Sequence, residues 1–210
     1  MSLIKKIEDK ISELLIKKNS ISEERKELLK SFAQYISSKL IEEKPINLIF
    51  ICTHNSRRST MAQIWAQTAA EYFGIPNILC YSGGTVVTAF NPNAVKAVRD
   101  AGFEVEKMSE SENPKYLVTY SENSEPLKCF SKIYGDSFNP QQDFAALMTC
   151  SDADANCPMV LGAGARFPVK YDDPKEFDGT DMETKKYAER FEQIGIEILY
   201  AFSKIKSEKN

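Results

Sequence analysis

Residues 46–51 (INLIFI) form an uninterrupted apolar run that leads directly into Cys52 and a polar loop. A run of this kind predicts a strand buried on both faces, as in a parallel sheet covered by helices. Residues 59–73 behind the loop have a pattern that predicts a helix. A buried strand, a loop and a helix in this order begin a βα unit, so the chain carries a cysteine at the end of a core strand.

The rest of the core alternates between strands and helices in the same way. We expect further strands at 77–82, 144–149 and 169–171, and helices at 91–101 and 181–206. This order predicts an α/β fold with a doubly wound, mostly parallel four-stranded sheet. The domain that contains it is predicted to span residues 46–208.

Two segments stand outside this alternation. Residues 1–43 carry two apolar stripes at helical spacing, with capping-box spacing between Ser20 and Glu23, and predict an N-terminal helical hairpin. We expect these helices to pack on each other, on the main domain or on a second copy of the chain, as a homodimer. The insertion 115–138 has two β-rich runs, within 115–134, and predicts a β-hairpin.

Composition excludes several classes of function. The net charge of −3 gives no basic surface of the kind that nucleic-acid-binding proteins carry. No apolar run is long enough to span a bilayer, and the first 18 residues lack the apolar core of a signal peptide, so we expect a cytoplasmic protein with no membrane partner. In that compartment the five cysteines are more often catalytic or metal-binding than disulfide-bonded.

The single histidine, His54, excludes two kinds of site. A Cys–His or Ser–His pair outside this loop is impossible, and so is a metal site built from several histidines. We therefore expect no metal centre and no resident cofactor. A nucleophile in this chain must be activated by other means.

The loop after the first strand has the chemistry of an anion site. Backbone N–H groups between a strand and a helix N-terminus point at a common centre, where the helix dipole favours negative charge. The same environment stabilises a Cys52 thiolate, and Arg58 can hold a tetrahedral oxyanion through two parallel hydrogen bonds. Ser59 and Thr53 can donate to the thiolate, and Asn55 can fix the backbone. The candidate oxyanion-binding residues are Thr53, His54, Asn55, Ser56, Arg57, Arg58 and Ser59.

The spacing Cys-x5-Arg is weak evidence by itself, and a cysteine that ends a core strand is usually a small buried hydrophobe. Here the strand before Cys52, the helix after it and the surrounding polar residues favour an active site. Cys-x5-Arg-Ser with Asn55 three residues after the cysteine resembles the low-molecular-weight tyrosine phosphatases and the thioredoxin-coupled arsenate reductases that share their fold. The resemblance runs from about residue 46 to the C-terminal helix, apart from 115–134, and leaves 1–43 outside.

The chain departs from the family pattern at two positions of the loop. The family usually has glycine where His54 stands, which predicts a positive φ there, and histidine tolerates that conformation better than most residues. Arg57 replaces a frequent second cysteine and is expected to add positive charge beside the site. Outside the loop, Gln63 stands where related reductases tend to carry an acidic residue, and support of the loop by a monovalent cation stays open.

Cys150 and Cys157 follow the strand at 144–149 in the segment TCSDADANCP. Parallel strands open their C-terminal ends into one crevice, so Cys150 is expected at the same sheet edge as Cys52. From spacing alone, a thiol relay and a pair of inert cysteines are equally supported. The segment resembles the redox segment of the arsenate reductases, and this resemblance implies a relay Cys52–Cys150–Cys157.

Cys80 and Cys129 have no such context, and we assign Cys80 to the core and Cys129 to the insertion.

An Asp-Pro pair such as Asp173–Pro174 is by default a turn former. In the resembling families this aspartate is the general acid above the anion, a role for which Asp172 is the second candidate.

The resemblance implies an arsenate reductase that converts arsenate to arsenite and is regenerated by a thioredoxin-like reductant. The alternative is a low-molecular-weight protein tyrosine phosphatase, which would hydrolyse a phosphomonoester with Cys52, Arg58 and Asp173. Those phosphatases commonly have tyrosines after the Asp-Pro pair, whereas residues 175–177 of this chain are Lys-Glu-Phe. A third hypothesis is an oxyanion-binding or partner-docking module that depends on the N-terminal helices.

Overall fold

A computed structural model describes residues 3–157 and 159–206 of the chain. Residues 1 and 2 of the predicted N-terminal hairpin, and residues 207 and 208 of the predicted main domain, lie outside the described residues. The helices are α1 Lys5–Ile16, α2 Glu23–Ile41, α3 Arg58–Phe73, α4 Pro92–Asp100, α5 Ser151–Asn156 and α6 Glu183–Phe202. The strands are β1 Ile46–Cys52, β2 Ile78–Gly84, β3 Glu104–Lys107, β4 Tyr116–Thr119, β5 Leu127–Cys129, β6 Phe144–Met148 and β7 Ala163–Phe167.

A four-stranded parallel sheet in the order β2-β1-β6-β7 forms the centre of the molecule. Its central strand β1 is buried on both faces, as its apolar run predicts. Leu48 and Phe50 belong to the larger apolar cluster, which includes α3 and α6, whereas Ile49 and Ile51 belong to a smaller cluster beside α5. The predicted α/β fold with a doubly wound, parallel sheet is therefore confirmed.

The fourth strand is not where the apolar pattern predicted it. Residues 169–171 were expected to form it, but β7 lies upstream and residues 169–171 are not in the sheet. Pro168 has no N–H to donate to a sheet ladder, and Val169 N bonds back to Phe167 O at 3.0 Å. Val169 and Tyr171 are buried all the same. The apolar pattern of residues 169–171 correctly indicates buried side chains, but these residues do not form a strand.

The N-terminal helices pack on the main domain. Ile7 and Ile11 of α1, and Phe32 of α2, are fully buried in the same apolar cluster as α6. Arg25 of α2 forms a 2.7 Å ion pair with Glu197 of α6, and both side chains are mostly buried. The division into units at residue 43 stays a prediction.

The predicted capping box at Ser20 and Glu23 is wrong by two residues. Residues Lys17–Ser20 form a 3₁₀ turn, so the next helix begins only at Glu23. Its N-cap is Ser22, whose hydroxyl accepts a hydrogen bond from Arg25 N. Because the 3₁₀ turn continues the first helix as far as Ser20, the N-cap of the second helix lies two residues later than predicted.

The insertion contains the predicted hairpin, in which β4 and β5 pair antiparallel. A third strand, β3, joins it by pairing with β4. The sequence of β3 is Glu-Val-Glu-Lys, which is short and charged and gives no alternating apolar signal.

Within the part of the chain that the structure describes, no helix is long and apolar enough to cross a bilayer.

Gly195 marks the closest approach between α6 and its neighbours. A Cβ at this position would lie 2.7 Å from Trp65 Cε2 and 2.9 Å from Leu14 Cδ1. Trp65 is fully buried, and its indole N–H donates to Phe191 O at 2.9 Å, so its ring cannot move aside. Overpacking of this kind costs about 1–3 kcal/mol, more than the gain of about 1 kcal/mol that alanine brings to a helix.

We therefore expect Gly195→Ala to lower the free energy of unfolding by about 1 kcal/mol, measured by urea denaturation. Gly164→Ala is the matched control, because no atom lies within 4 Å of its Cβ position. Its effect should stay below about 0.5 kcal/mol. Equal stability of the two variants would contradict the close packing of α6 on Trp65.

Candidate active site

Cys52 ends β1 and lies under the loop that connects this strand to α3. Its side chain is 3% exposed, and its Sγ lies 3.1 Å from Ser59 Oγ. Ser59 belongs to the first turn of α3, which has no side-chain cap among the described residues. The positive end of the helix dipole is thus directed at the loop and at the thiol.

The loop turns its carbonyl groups outward. Every backbone carbonyl of residues 53–57 accepts a hydrogen bond from a residue outside that segment. The donors are Thr85 N and Val86 N for Thr53 (2.9 and 2.8 Å), Ser131 Oγ and Thr88 Oγ1 for His54 (2.8 and 3.2 Å), Thr60 Oγ1 for Asn55 (3.3 Å), Asn91 N for Ser56 (2.9 Å) and Met61 N for Arg57 (2.9 Å).

The backbone N–H groups of residues 53–57 donate to no acceptor among residues 3–157 and 159–206. Unpaired backbone donors are costly and rare in proteins. Five of them in one strand-to-helix loop can hold a tetrahedral oxyanion above the Cys52 thiol. Gly84 makes this tight geometry possible, because a Cβ there would lie 2.7 Å from Thr53 O and 2.8 Å from Asn55 N.

The left-handed residue of the loop is Asn55, with φ +46°, and His54 does not have a positive φ. The positive φ that the family's glycine predicts at His54 is therefore found one residue later. Asparagine tolerates this conformation, and its side chain is fixed on both sides. Asn55 Nδ2 donates to Ser59 Oγ at 2.9 Å, and its Oδ1 accepts from Lys132 N at 3.0 Å. The side chain of Asn55 therefore connects α3 to the insertion, and its role in fixing the loop backbone stays a prediction.

Arg58 reaches from the start of α3 to the Asp173 loop. Its Nη2 lies 2.5 Å from Asp173 Oδ2, and its Nη1 donates to Tyr171 O at 2.9 Å. The Asp173 loop is tied to the sheet in turn, because Tyr171 N donates to Thr149 O. Asp173 thus faces the anion loop. The second candidate, Asp172, is exposed and pairs with Arg190, away from Arg58.

Arg57 adds less free charge to the site than its sequence position predicts. Its guanidinium donates to Tyr187 Oη at 2.7 Å and to Asp178 Oδ2 at 3.3 Å. Tyr187 donates to Asp178 Oδ1 at 2.7 Å. Burial and the neighbouring Asp178 carboxylate raise the pKa of Tyr187 to about 12. Asp178 and Tyr187 were not predicted, because only the tertiary fold brings α6 to this loop.

Cys150 and Cys157 lie at the two ends of α5, on the same side of the sheet as Cys52. Cys150 follows β6, which pairs with β1. All three thiols belong to or pack on the smaller apolar cluster. Thr53 Oγ1 lies 3.5 Å from Cys150 Sγ, so this hydroxyl pairs with Cys150 and not, as predicted, with Cys52.

The thiol of Cys150 caps α5, accepting a hydrogen bond from Ala153 N at 3.3 Å. The cap leaves Cys150 buried and Cys157 partly exposed. Arg166 of β7 holds the helix against the sheet, with its Nη2 2.6 Å from Asp154 Oδ1 and 3.3 Å from Cys157 O. The role of Arg166 was not predicted.

The remaining two cysteines are core residues. Cys80 of β2 and Cys129 of β5 are buried in the larger apolar cluster. Burial raises the pKa of the Cys80 thiol, and burial raises that of Cys129 to about 12 despite the charge of Lys132. Burial of this kind keeps a thiol neutral, and a neutral thiol is a poor nucleophile.

Comparison with known proteins supports the same fold and identifies the family. The model of the low molecular weight phosphotyrosine protein phosphatase family matches residues 47–118. The arsenate reductase of Bacillus licheniformis is 31% identical over 151 residues, which cover 70% of this chain and 88% of that protein. The arsenate reductase of Bacillus subtilis is 29% identical over 149 residues, with the same shares covered.

The chain belongs to the family of low-molecular-weight phosphotyrosine protein phosphatases and arsenate reductases. It is an enzyme of this family, and the matched residues include the whole Cys52 loop. Two solved structures share its fold at low identity. A YwlE mutant from B. subtilis has a TM-score of 0.52 at 15% identity, covering 77% of this chain and 99% of that one. A low molecular weight protein tyrosine phosphatase from T. tengcongensis has a TM-score of 0.50 at 16%, covering 76% and 99%.

Lys132 of the insertion lies directly behind the loop of this enzyme. Its side chain is 2% exposed, with Nζ 4.5 Å from the centre of the Phe130 ring and 5.3 Å from that of Phe138. Burial lowers the pKa of Lys132 to about 8, although the nearby Cys129 and Asp136 oppose this shift. Between about pH 8 and 10.5, the unfolded chain therefore binds a proton at Lys132 that the folded chain does not bind.

Stability of the wild type relative to Lys132→Met should consequently rise with pH over that window, by about 3 kcal/mol in total. The methionine keeps the length of the side chain and removes the titrating group. The measurement is urea unfolding of both proteins at intervals from pH 7 to 10.5. A difference that does not change with pH would contradict the burial of a neutral Lys132.

Proposed function

We propose that this chain is an arsenate reductase that uses Cys52, Cys150 and Cys157 as a thiol relay and is regenerated by a thioredoxin-like reductant. One observation carries the proposal. A thiol below an anion loop shares an apolar cluster with two further thiols at the ends of a short helix. A phosphatase needs the first thiol only, whereas a reductase needs an attacking, a resolving and a third thiol.

In the first step the loop binds arsenate. The inward N–H groups and the Arg58 guanidinium hold its oxygens. Arg58 exchanges its ion pair with Asp173 for the oxyanion, and this exchange frees the Asp173 carboxyl to carry a proton above the site. Cys52, held at 3.1 Å by Ser59, lies at the bottom of the loop as the nucleophile.

In the second step the Cys52 thiolate attacks arsenic. A sulfur–arsenic bond forms, an arsenic–oxygen bond breaks, and the oxygen leaves as water after it takes a proton from Asp173. Cys150 thiolate then attacks Cys52 Sγ. A disulfide forms between these residues, the sulfur–arsenic bond breaks, and its electron pair reduces arsenic from the pentavalent to the trivalent state. Arsenite is released.

In the third step Cys157 thiolate attacks Cys150 Sγ, releases the Cys52 thiolate and forms the Cys150–Cys157 disulfide. This step requires α5 to open. Seven residue steps of 1.5 Å separate the two cysteines by about 10 Å along a helix, beyond the reach of a disulfide. Six residues form only a marginal helix. The Arg166–Asp154 ion pair holds it closed until the disulfide forms.

In the last step a thioredoxin-like dithiol reduces the Cys150–Cys157 disulfide. Cys157 is the partly exposed member of the relay, so a reductant has access to its sulfur. The known relatives support the choice of substrate, because the curated proteins from B. licheniformis and B. subtilis are arsenate reductases.

The second candidate is a phosphomonoesterase that uses Cys52, Arg58 and Asp173. The family model supports it, because it describes a family of phosphatases and its match includes Cys52 and Arg58. Against a phosphotyrosine substrate, the residues after Pro174 are Lys175, Glu176 and Phe177, and Lys186 lies 5.2 Å from the centre of the Phe177 ring. No tyrosine follows the Asp-Pro pair to flank a substrate ring.

The test is arsenate-dependent oxidation of NADPH with thioredoxin and thioredoxin reductase. Wild type should turn over, whereas Cys52→Ser, Cys150→Ser and Cys157→Ser should each lose about a thousandfold or more in kcat, because the relay stops at the missing thiol. Cys80→Ala is the matched control, since Cys80 is a buried thiol outside the relay. It should retain most of the activity.

A different pattern would favour the phosphatase. In that case the wild type shows no arsenate turnover, while hydrolysis of an aryl phosphate depends on Cys52 and not on Cys157. Such a result would overturn the reductase and leave Cys150 and Cys157 without a role in catalysis.

A further inference from the structure

The insertion contacts the loop at its apex, through two consecutive residues. Ser131 Oγ donates to His54 O at 2.8 Å, and Lys132 N donates to Asn55 Oδ1 at 3.0 Å. We infer that Ser131 is a positioning residue of the oxyanion loop, whose hydroxyl holds the peptide between His54 and Asn55 with its N–H turned inward. The inference rests on the proposed function only in that the loop binds an oxyanion.

The hydroxyl of Ser131 bridges two backbone groups. It accepts a hydrogen bond from Thr88 N at 2.9 Å and donates its own proton to His54 O. Thr88 Oγ1 adds a second, longer bond to the same carbonyl at 3.2 Å. No backbone N–H among residues 3–157 and 159–206 donates to His54 O. The orientation of this carbonyl depends on two side-chain hydroxyls.

The carbonyl and the N–H of a trans peptide point in opposite directions. All described peptide bonds are trans, so fixing His54 O toward Ser131 and Thr88 directs Asn55 N–H away from both. Both hydroxyls lie outside the loop, and the N–H is thereby turned to its inside. If the peptide turned over, a carbonyl oxygen would face the anion and a donor would be lost. Repulsion and the lost hydrogen bond would both weaken oxyanion binding.

Ser131 is itself held rigidly. Its side chain is 1% exposed. The amide of Asn113 pairs with both backbone groups of Ser131, donating to its carbonyl at 2.8 Å and accepting from its N–H at 3.2 Å. The next residue, Lys132, is buried between Phe130 and Phe138. The insertion therefore supplies a fixed hydroxyl to His54 O, a loop carbonyl that no backbone N–H of the described residues reaches.

The experiment is calorimetric titration of the 210-residue chain with inorganic phosphate, which has the shape and charge of arsenate and is not reduced. Ser131→Ala should weaken phosphate binding by about tenfold. Thr88→Val removes the longer bond at an exposed position and should weaken binding about threefold. If Ser131→Ala folds poorly, Thr88→Val still tests whether a hydroxyl bound to His54 O supports phosphate binding.

Ser37→Ala is the matched control. Its hydroxyl makes the same bridge far from the site, accepting from Lys206 N at 3.0 Å and donating to Ala33 O at 2.9 Å. It should lose stability as Ser131→Ala does and bind phosphate like the wild type. This pairing separates a positioning effect from a general loss of stability.

Three outcomes have distinct meanings. Weaker binding in Ser131→Ala and Thr88→Val, with the control unchanged, supports the inference. Binding within twofold of wild type in both variants overturns it and leaves the proposed function intact. Absence of phosphate binding by the wild type overturns the inference together with the proposed oxyanion site.

Discussion

The outward anchoring of the Cys52 loop is the constraint on which the site depends. Five successive carbonyls are bound by residues outside the segment, and the five N–H groups have no acceptor in the part of the chain that the structure describes. No single element of the chain supplies these anchors. They come from the end of β2, from the first turns of α3, from the N-terminus of α4 and from the insertion. The fold around the parallel sheet is what brings them to one loop.

The same sheet edge brings the remaining chemistry to that loop. Because β6 lies beside β1, Cys150 comes close to Thr53, and Thr149 ties down the loop that carries Asp173. Arg58 then connects the acid to the anion site. Arg57 has a different task, since its bonds to Asp178 and Tyr187 fix the segment after Asp173 on α6. Two adjacent arginines thus have different partners, Arg58 the Asp173 carboxylate and Arg57 the Asp178 and Tyr187 side chains.

The sequence predicted the elements whose patterns are local. The apolar run of β1, the helix after it and the cysteines at strand ends follow from burial and periodicity, and the structure has them at those positions. Prediction failed where the structure depends on a backbone detail or on a contact between residues that are distant in the sequence. The strand expected at 169–171 lies upstream because Pro168 ends it, and the positive φ belongs to Asn55. Ser131 and Arg166 were missed because their roles depend on contacts that only the tertiary structure creates.

In the proposed relay, Cys52 passes its oxidation to Cys150 and Cys157, the pair at the ends of α5. A single-turnover experiment tests this relay without any coupling enzyme. The reduced chain is mixed with one equivalent of arsenate without any reductant, the free thiols are alkylated, and the peptides are mapped by mass spectrometry. We expect one arsenite per chain, an alkylated Cys52 and a Cys150–Cys157 disulfide. Arsenite release with Cys157 still alkylated would contradict the relay.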